Sequence, residues 1–402
     1  MLGLVLTAGG ARGAYQAGVL KRIGELPVFR RRPSPFAIVA GTSAGAINGS
    51  MIAATSADFA AGTRRLAALW SNLCVKNVFR ADVVALGRGG AQWARDLALG
   101  GMLGGGTVQS LLDASPLRAH IAAHLPVDGI AQSIRDGHLY AVAVSATSYH
   151  SGKSYTFIQG KPGHPLWIKS RRVSLAVKLT LDHILASAAI PIVFPPVLVR
   201  SEVGECYFGD GGLRLVTPFS PAIRLGATRV FAIGIRCQGA ADALTRDELR
   251  IGEESHGGLQ SIGRPPLAQI CGVFLNAIFL DHLDADLDHL QRMNQLVGSN
   301  GSRAGTKRGR GAAPVHEPMR RVEPFVLSPS ADLAVVAAAF AHKMPRAIRY
   351  VMDGLGTPNA QSADLMSYLL FDSSYTRALI DVGYNDADTR IHEIEAFLTT
   401  AH

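Results

Sequence analysis

Residues Gly41-Thr42-Ser43-Ala44-Gly45 stand between an apolar stretch, Phe36 to Ala40, and a run of small residues that begins at Ala46. A serine held between glycines where a strand turns into a helix is the pattern of a nucleophile elbow, and no other feature constrains the fold of this chain as strongly. The turn forces the serine into a strained backbone, and side chains at the flanking positions would strike the adjoining strand and helix. Gly49, four residues after Gly45, keeps the same helix face thin. The start of that helix places positive partial charge at Ser43, favouring an alkoxide and a developing oxyanion. A chance match in a chain rich in glycine and alanine is the bland alternative, and the strand-turn-helix setting argues against it.

Upstream, Leu2 to Thr7 reads as a strand, Gly9-Gly10-Ala11-Arg12-Gly13 as a glycine loop and Ala14 to Leu26 as a helix, so the chain opens with a β-α-β unit. If the two strands are parallel neighbours, the loop's backbone N–H groups lie beside the elbow and can form an oxyanion hole. Glycine loops after strands also cradle phosphates, but that use needs a Gly-x-Gly-x-x-Gly spacing or a Lys-Ser/Thr ending. Here the window Ala8 to Gly13 starts with alanine, and no acidic residue follows the second strand where a ribose partner would stand. Nucleotide binding is therefore disfavoured. Arg12 has two readings of equal weight, positioning a phosphate or bracing the loop.

A serine nucleophile needs a base, commonly a histidine oriented by a carboxylate. The late histidines, His316, His342, His392 and His402, fall in a low-complexity tract or among C-terminal helices, and His183, beside Asp182, reads as structural. Gly209-Asp210-Gly211-Gly212 offers another base: an aspartate on a tight turn, following a hairpin expected from Val197 to Ser201 and Glu205 to Phe208.

In this order, the glycine loop, Gly41 to Gly45 and Asp210-Gly211-Gly212 resemble the three signature blocks of the patatin-like phospholipases of bacterial type. The resemblance implies an α/β fold in three layers, α/β/α, with a central mostly parallel sheet and a C-terminal helical annex. It implies a Ser-Asp dyad with Ser43 as nucleophile and Asp210 as general base, and Gly9, Gly10, Ala11 and Arg12 around the oxyanion. Gly13, Gly41, Thr42, Ala44, Gly45, Gly211 and Gly212 are the supporting motif residues. The segment Ser187 to Pro196 is similar to the family's proline-rich stretch lining the acyl site; an acyl chain needs an apolar trough, for which Ile190, Ile192, Val193, Phe194 and segments of the stretch Trp70 to Leu103 are candidates, with ordinary core packing an equal alternative for each. The resemblance covers residues 2 to 236 well, and more loosely an annex around Leu365 to Asp388; Ala8 departs from it, standing where the loop usually begins with glycine. The expected substrate is a phospholipid or another lipid ester, with no cofactor and no metal. Two alternatives stay open: an acyltransferase or thioesterase using the same serine, and a non-catalytic lipid-binding regulator.

The rest of the chain divides into residues 1–236 as a catalytic domain, 237–330 as a helical insertion with a Gly/Arg/Ser tract and a last strand, and 331–402 as the helical annex. Further strands are expected at Leu139 to Thr147, Ser154 to Gln159, Arg229 to Ile235 and Val322 to Leu327. Helices are expected at Ala57 to Asn72, Val173 to Ala189, Leu267 to Val297, Ala331 to Leu355, Ser362 to Leu370 and Thr389 to Thr400, with an irregular cap over Gly87 to Gly106. The four cysteines, Cys74, Cys206, Cys237 and Cys271, are scattered without a C-x-x-C pair, which excludes a zinc or disulfide framework and suits a reducing compartment. The N-terminus lacks the basic and long apolar regions of a signal peptide, and no stretch suits a transmembrane helix. The net charge of +9 suits nucleic acid or an anionic membrane. The basic clusters carry no interleaved aromatic residues, which argues against nucleic acid and leaves two readings for each, a solvated loop first and a lipid-headgroup patch second. A cytoplasmic protein in peripheral contact with lipid is the expectation.

Overall fold

The computed structural model describes residues 1–80, 110, 112–201, 204–237, 283–301, 320–345, 349 and 359–400. The chain begins with β1 (Leu2–Leu6), α1 (Gly13–Gly24), β2 (Ile38–Thr42), α2 (Ala44–Ala54) and α3 (Phe59–Ser71). Then follow α4 (Ser115–His124), α5 (Gly129–Arg135), β3 (Ala141–Ser148), β4 (Ser154–Gly160), β5 (Ile168–Lys169), β6 (Arg172–Ala176), α6 (Leu181–Ser187), β7 (Val197–Ser201), β8 (Gly204–Asp210), α7 (Ser220–Arg224) and β9 (Arg229–Ile233). The last part holds α8 (Leu283–Gly301), β10 (Glu323–Leu327), α9 (Leu333–Ala339), α10 (Asn359–Leu369), α11 (Ser373–Thr389) and α12 (Ile391–Thr399).

These strands form one mixed sheet in the order β10-β9-β1-β2-β3-β4-β6-β5, parallel from β10 to β3 and antiparallel between β3 and β4. The inner strands read as continuous apolar runs because helices cover both faces. On one face α1, α2, α3 and the annex pack over Leu4, Leu6, Val39, Val142 and Val144. On the other, Phe219, Leu225, Leu283 and Leu290 cover Val5, Ile38, Ala40 and Ala143. The result is a three-layer α/β/α arrangement with a mostly parallel sheet and a helical C-terminal region. No helix among the described residues is long and apolar enough to cross a membrane.

α1 and α11 cross at close range because glycines face each other's backbone. A Cβ at Gly18 would lie 2.1 Å from the Ile380 carbonyl oxygen, and one at Gly383 would lie 2.2 Å from that of Tyr15.

Two expectations are corrected. The continuous helix expected at Val173 to Ala189 is a strand, β6, followed by the short α6. The alternation around Val173 and Leu175 lets β6 pair in parallel with β4, and Thr180, in extended backbone, caps α6. The helix expected at Ala331 to Leu355 is broken, α9 ending at Ala339 and giving way to a 3-10 turn, Ala341–Lys343; most of the remainder falls outside the described residues. Residues 371–388, expected only as part of the helical annex around Leu365 to Asp388, carry most of α11. The cap at Gly87 to Gly106, Cys271 and nearly all of the Gly298 to Pro314 tract also lie outside the described residues.

Candidate functional site

Ser43 joins β2 to α2 at φ 57° and ψ −126°, a left-handed backbone that L-residues rarely adopt. The two flanking glycines are sterically required. A Cβ at Gly41 would lie 2.3 Å from the Gly45 carbonyl oxygen, and one at Gly45 would lie 2.2 Å from that of Leu6. The Ser43 N–H donates to Ser187 Oγ at 2.9 Å, and the Ser187 hydroxyl donates to the Ser145 carbonyl at 2.6 Å. This bridge pins the turn to α6 and β3. A serine after the apolar turn Ile184 to Ala186 was the available sequence signal for it, and it passed unread.

Asp210 reaches Ser43 through the register of β3. Thr42 at the end of β2 pairs with Ser145, and Asp210 at the end of β8 pairs with the next residue, Ala146. β4 occupies the opposite edge of β3 over the same residues, so β2 and β8 lie end to end along one edge. Ser43 Oγ donates to Asp210 Oδ2 at 2.6 Å, and the Gly212 N–H donates to Oδ1 at 2.8 Å. The backbone of Asp210 is fixed in turn, its N–H donating to the Ala189 carbonyl and its carbonyl accepting from Thr147 Oγ1. A Cβ at Gly211 would strike the Ser145 carbonyl at 2.1 Å. Burial pushes the Asp210 carboxyl up to about 6, against the opposing pull of the hydrogen bonds from Ser43 and Gly212. Near neutral pH it is ionised and still basic. Tyr149 stands over Gly209; burial first, and then the charge of Asp210, push its phenol up to about 12.

The glycine loop forms a 3-10 turn, Gly10–Arg12, with Gly10 at φ 51°. The first N–H groups of such a turn and of α2 have no upstream partner within their own helix. Gly10 and Ser43 line one chamber. Arg12 does not face it. Its guanidinium is buried against α10, paired with Asp364, donating from Nε to Ser367 Oγ at 2.7 Å and lying 4.3 Å from the centre of the Tyr368 ring. Of its two readings, the brace is the one the geometry fits. Behind the loop runs a polar network the sequence did not disclose: Trp70 Nε1 donates to Asn48 Oδ1, and Asn48 Nδ2 donates to Gly13 O and Gln16 Oε1. Gln16 Nε2 in turn donates to the Thr7 carbonyl.

The chamber beside Ser43 is walled by Ile47, Leu69, Trp70, Leu117, Ile190, Phe194 and Phe371. Its free space of about 30 Å³ holds roughly one water. An outer groove of about 560 Å³ shares Leu117, Ala188 and Phe194 with it. Of the expected trough residues, Ile190, Phe194 and Trp70 line the chamber; Val193 packs on the core, and Ile192 is exposed at φ 69°. Among the described residues no histidine borders the chamber. His183 accepts at Nδ1 from the Thr180 N–H, and burial lowers it to about 4, so it stays neutral.

The family profile described as Patatin-like phospholipase matches residues 4–223, more than half of the chain. The chain belongs to the patatin-like phospholipase family. Its match begins in β1 and runs through the glycine loop, the elbow and the Asp210 turn to α7. No curated protein is similar enough in sequence to match this patatin-like chain. Among solved structures it is similar to VipD from Legionella pneumophila, at 11% identity and a TM-score of 0.28, covering 94% of this chain and 66% of that one. It is also similar to human GIVD cytosolic phospholipase A2 in complex with methyl γ-linolenyl fluorophosphonate, at 11% identity and a TM-score of 0.34, covering 97% and 60%. A third is ExoU from the type III secretion system of Pseudomonas aeruginosa, in complex with SpcU, at 13% identity and a TM-score of 0.25, covering 98% and 77%. This patatin-like chain thus spans just under two thirds of the length of VipD and three fifths of the phospholipase A2.

Proposed function

We propose that this patatin-like protein hydrolyses carboxylic esters of phospholipids or related lipids, with Ser43 as nucleophile and Asp210 as general base. The observation that carries the reading is the 2.6 Å contact of Ser43 Oγ with Asp210 Oδ2, at a strained elbow opening on an apolar chamber. Asp210 takes the Ser43 proton as Oγ attacks the ester carbonyl. The Gly10 turn and the start of α2 offer N–H groups to the oxyanion, an effect of about 3 kcal/mol per donor in characterised hydrolases. Asp210 then returns the proton to the departing alcohol, and a water, deprotonated by the same carboxylate, releases the fatty acid and restores Ser43.

Entry of an acyl chain requires side chains shared with the outer groove, Leu117 and Phe194, to swing aside. The exposed Ile192 on the same segment and the net charge of +9 support peripheral contact with an anionic lipid surface. The first experiment is release of p-nitrophenol from a medium-chain ester by the wild type, Ser43→Ala and Asp210→Asn. Loss in both variants is expected. Activity surviving in Asp210→Asn would defeat the proposed base, and an inert wild type that transfers acyl groups would favour a transferase.

A further inference from the structure

On the face of the sheet opposite Ser43, two arginines converge without a counter-ion among the described residues. Arg172, at the start of β6, donates from Nη1 to Thr217 Oγ1 at 2.5 Å and to Ser220 Oγ at 3.5 Å. Arg224, at the end of α7, donates from Nε to the same Ser220 Oγ at 3.3 Å and lies 5.7 Å from the centre of the Trp167 ring. Both are half-buried, and among the described residues neither has a carboxylate within ion-pair distance. Two cations that touch one hydroxyl oxygen repel each other, and partial burial deprives them of the screening that open water supplies. Serine and threonine hydroxyls orient them and neutralise nothing. Such a fork is preorganised for an oxyanion, because guanidinium edges match carboxylate and phosphate geometry.

Arg172 and Arg224 border a cavity of about 370 Å³, within the size range of small-molecule sites. Arg320 and His289 stand at its rim, and Phe219, Ile223, Leu290, Met293 and Val297 supply an apolar wall. The one carboxylate in the lining, Asp286, is buried and accepts from the Phe219 N–H at 2.9 Å. A cavity with a cationic end and an apolar wall fits an anionic head on a hydrocarbon chain better than a free ion or a neutral lipid.

We infer that this cavity is a second, non-catalytic site for an anionic amphiphile, with Arg172 and Arg224 holding its carboxylate or phosphate and the α7–α8 wall holding its chain. Its floor includes Thr217 and Phe219, in the stretch that leads away from Asp210, but binding there requires nothing of the catalytic pair.

The test is isothermal titration of full-length Ser43→Ala protein, which removes the proposed turnover, with dodecyl phosphate, dodecanoate, inorganic phosphate and dodecanol. Both amphiphilic anions are expected to bind at least about tenfold more tightly than dodecanol or inorganic phosphate. Tighter binding of dodecyl phosphate assigns the site to a phospholipid head, and tighter binding of dodecanoate to a released fatty acid. In the same background, Arg172→Gln with Arg224→Gln is expected to weaken anion binding about tenfold or more without lowering Tm, since it relieves repulsion. Arg172→Lys and Arg224→Lys, each alone, keep the charge and retain part of the affinity if the double variant folds poorly. Equal anion affinity with and without the arginines, or dodecanol binding as tightly as the anions, overturns the inference. Because the readout is binding to protein without Ser43, that result leaves the hydrolase reading standing, and an inert wild type leaves this site standing.

Discussion

Asp210 meets two opposed demands at a single carboxylate. Burial disfavours its charge, while the Ser43 hydroxyl and the Gly212 amide favour it, and the balance leaves it titrating near 6. As the proposed general base it would work only when ionised, so kcat/KM on a soluble ester is expected to fall about tenfold per pH unit below that value and to level off above it. A flat profile from pH 5 to 8 would argue against Asp210 as the base. The same carboxyl sets a stability effect of definite sign. Its folded-state value is raised above the ordinary 3.8, so between about pH 4 and 6 the folded chain keeps a proton that the unfolded chain has lost. Stability therefore declines as pH rises through that window, by an amount on the order of 3 kcal/mol. Asp210→Asn can still accept from Gly212 through its carbonyl and donate to Ser43. It is expected to raise Tm at pH 8, with the gain vanishing near pH 4; a gain independent of pH would assign it to something other than the charge. The meeting of Ser43 with Asp210 was legible from sequence because each lies in a turn flanked by glycines whose Cβ would clash, Gly41 and Gly45 around one, Gly209 and Gly211 around the other. Ser187, Asn48 and Asp364 were not, because their contacts come from segments far away in the chain.

At the scale of elements, the glycine loop rests on α10. A Cβ at Gly10 would lie 2.4 Å from the Tyr368 carbonyl oxygen, and Arg12 and Arg236 both reach Asp364 on the same helix. Asp364→Ala leaves the Arg12 guanidinium buried without its carboxylate, a loss of about 3 kcal/mol or more in comparable settings. It is expected to lower kcat more than it raises KM, with Asp364→Glu recovering part; equal kcat in all three proteins would show that the loop holds its shape without the pair. The crossing of α1 and α11 makes a sharper demand. Gly383→Ala puts a methyl group against the Tyr15 carbonyl and is expected to destabilise by about 1–3 kcal/mol in denaturant unfolding. α11 was expected only through the resemblance, as part of a helical annex around Leu365 to Asp388, and was not delimited from the residues although Tyr375, Leu379, Ile380, Gly383 and Ala387 form a buried stripe at helical spacing. Gly383 and the polar run Asn385 to Asp388 break the apolar signal, and the glycine that looks like a helix breaker is what lets the helix approach. β6 was misread for the opposite reason: five strand residues merge with the short helix that follows into one apolar stretch, and periodicity over so few residues does not separate them.

Across the whole molecule, residues from β1 to α12 share one core on the Ser43 face, so annex and sheet are expected to unfold together. Heating followed by near-ultraviolet circular dichroism and by Tyr and Trp fluorescence should give one coincident transition; two would mean that the annex melts alone. The charge of +9 predicts sedimentation with anionic vesicles that weakens as salt rises, and Ile192→Asp should reduce hydrolysis of vesicle lipid while sparing a soluble ester. The opening β-α-β unit was readable from its glycine-marked turns and apolar runs, and the three layers followed from the family resemblance; the chamber was foreseen only in part, since Leu117 and Phe371 join the expected Trp70, Ile190 and Phe194 from distant stretches. The end-to-end seating of β2 and β8 on β3 has a consequence for how such a chain can diverge. Ser43 and Asp210 are 167 residues apart in sequence, yet adjacent rungs of one strand, Ser145 and Ala146, hold the strand ends that carry them. Whatever is spliced in, lengthened or replaced between α3 and α4 leaves those rungs untouched, so the chain can trade the surroundings of its chamber for others while Ser43 and Asp210 stay together.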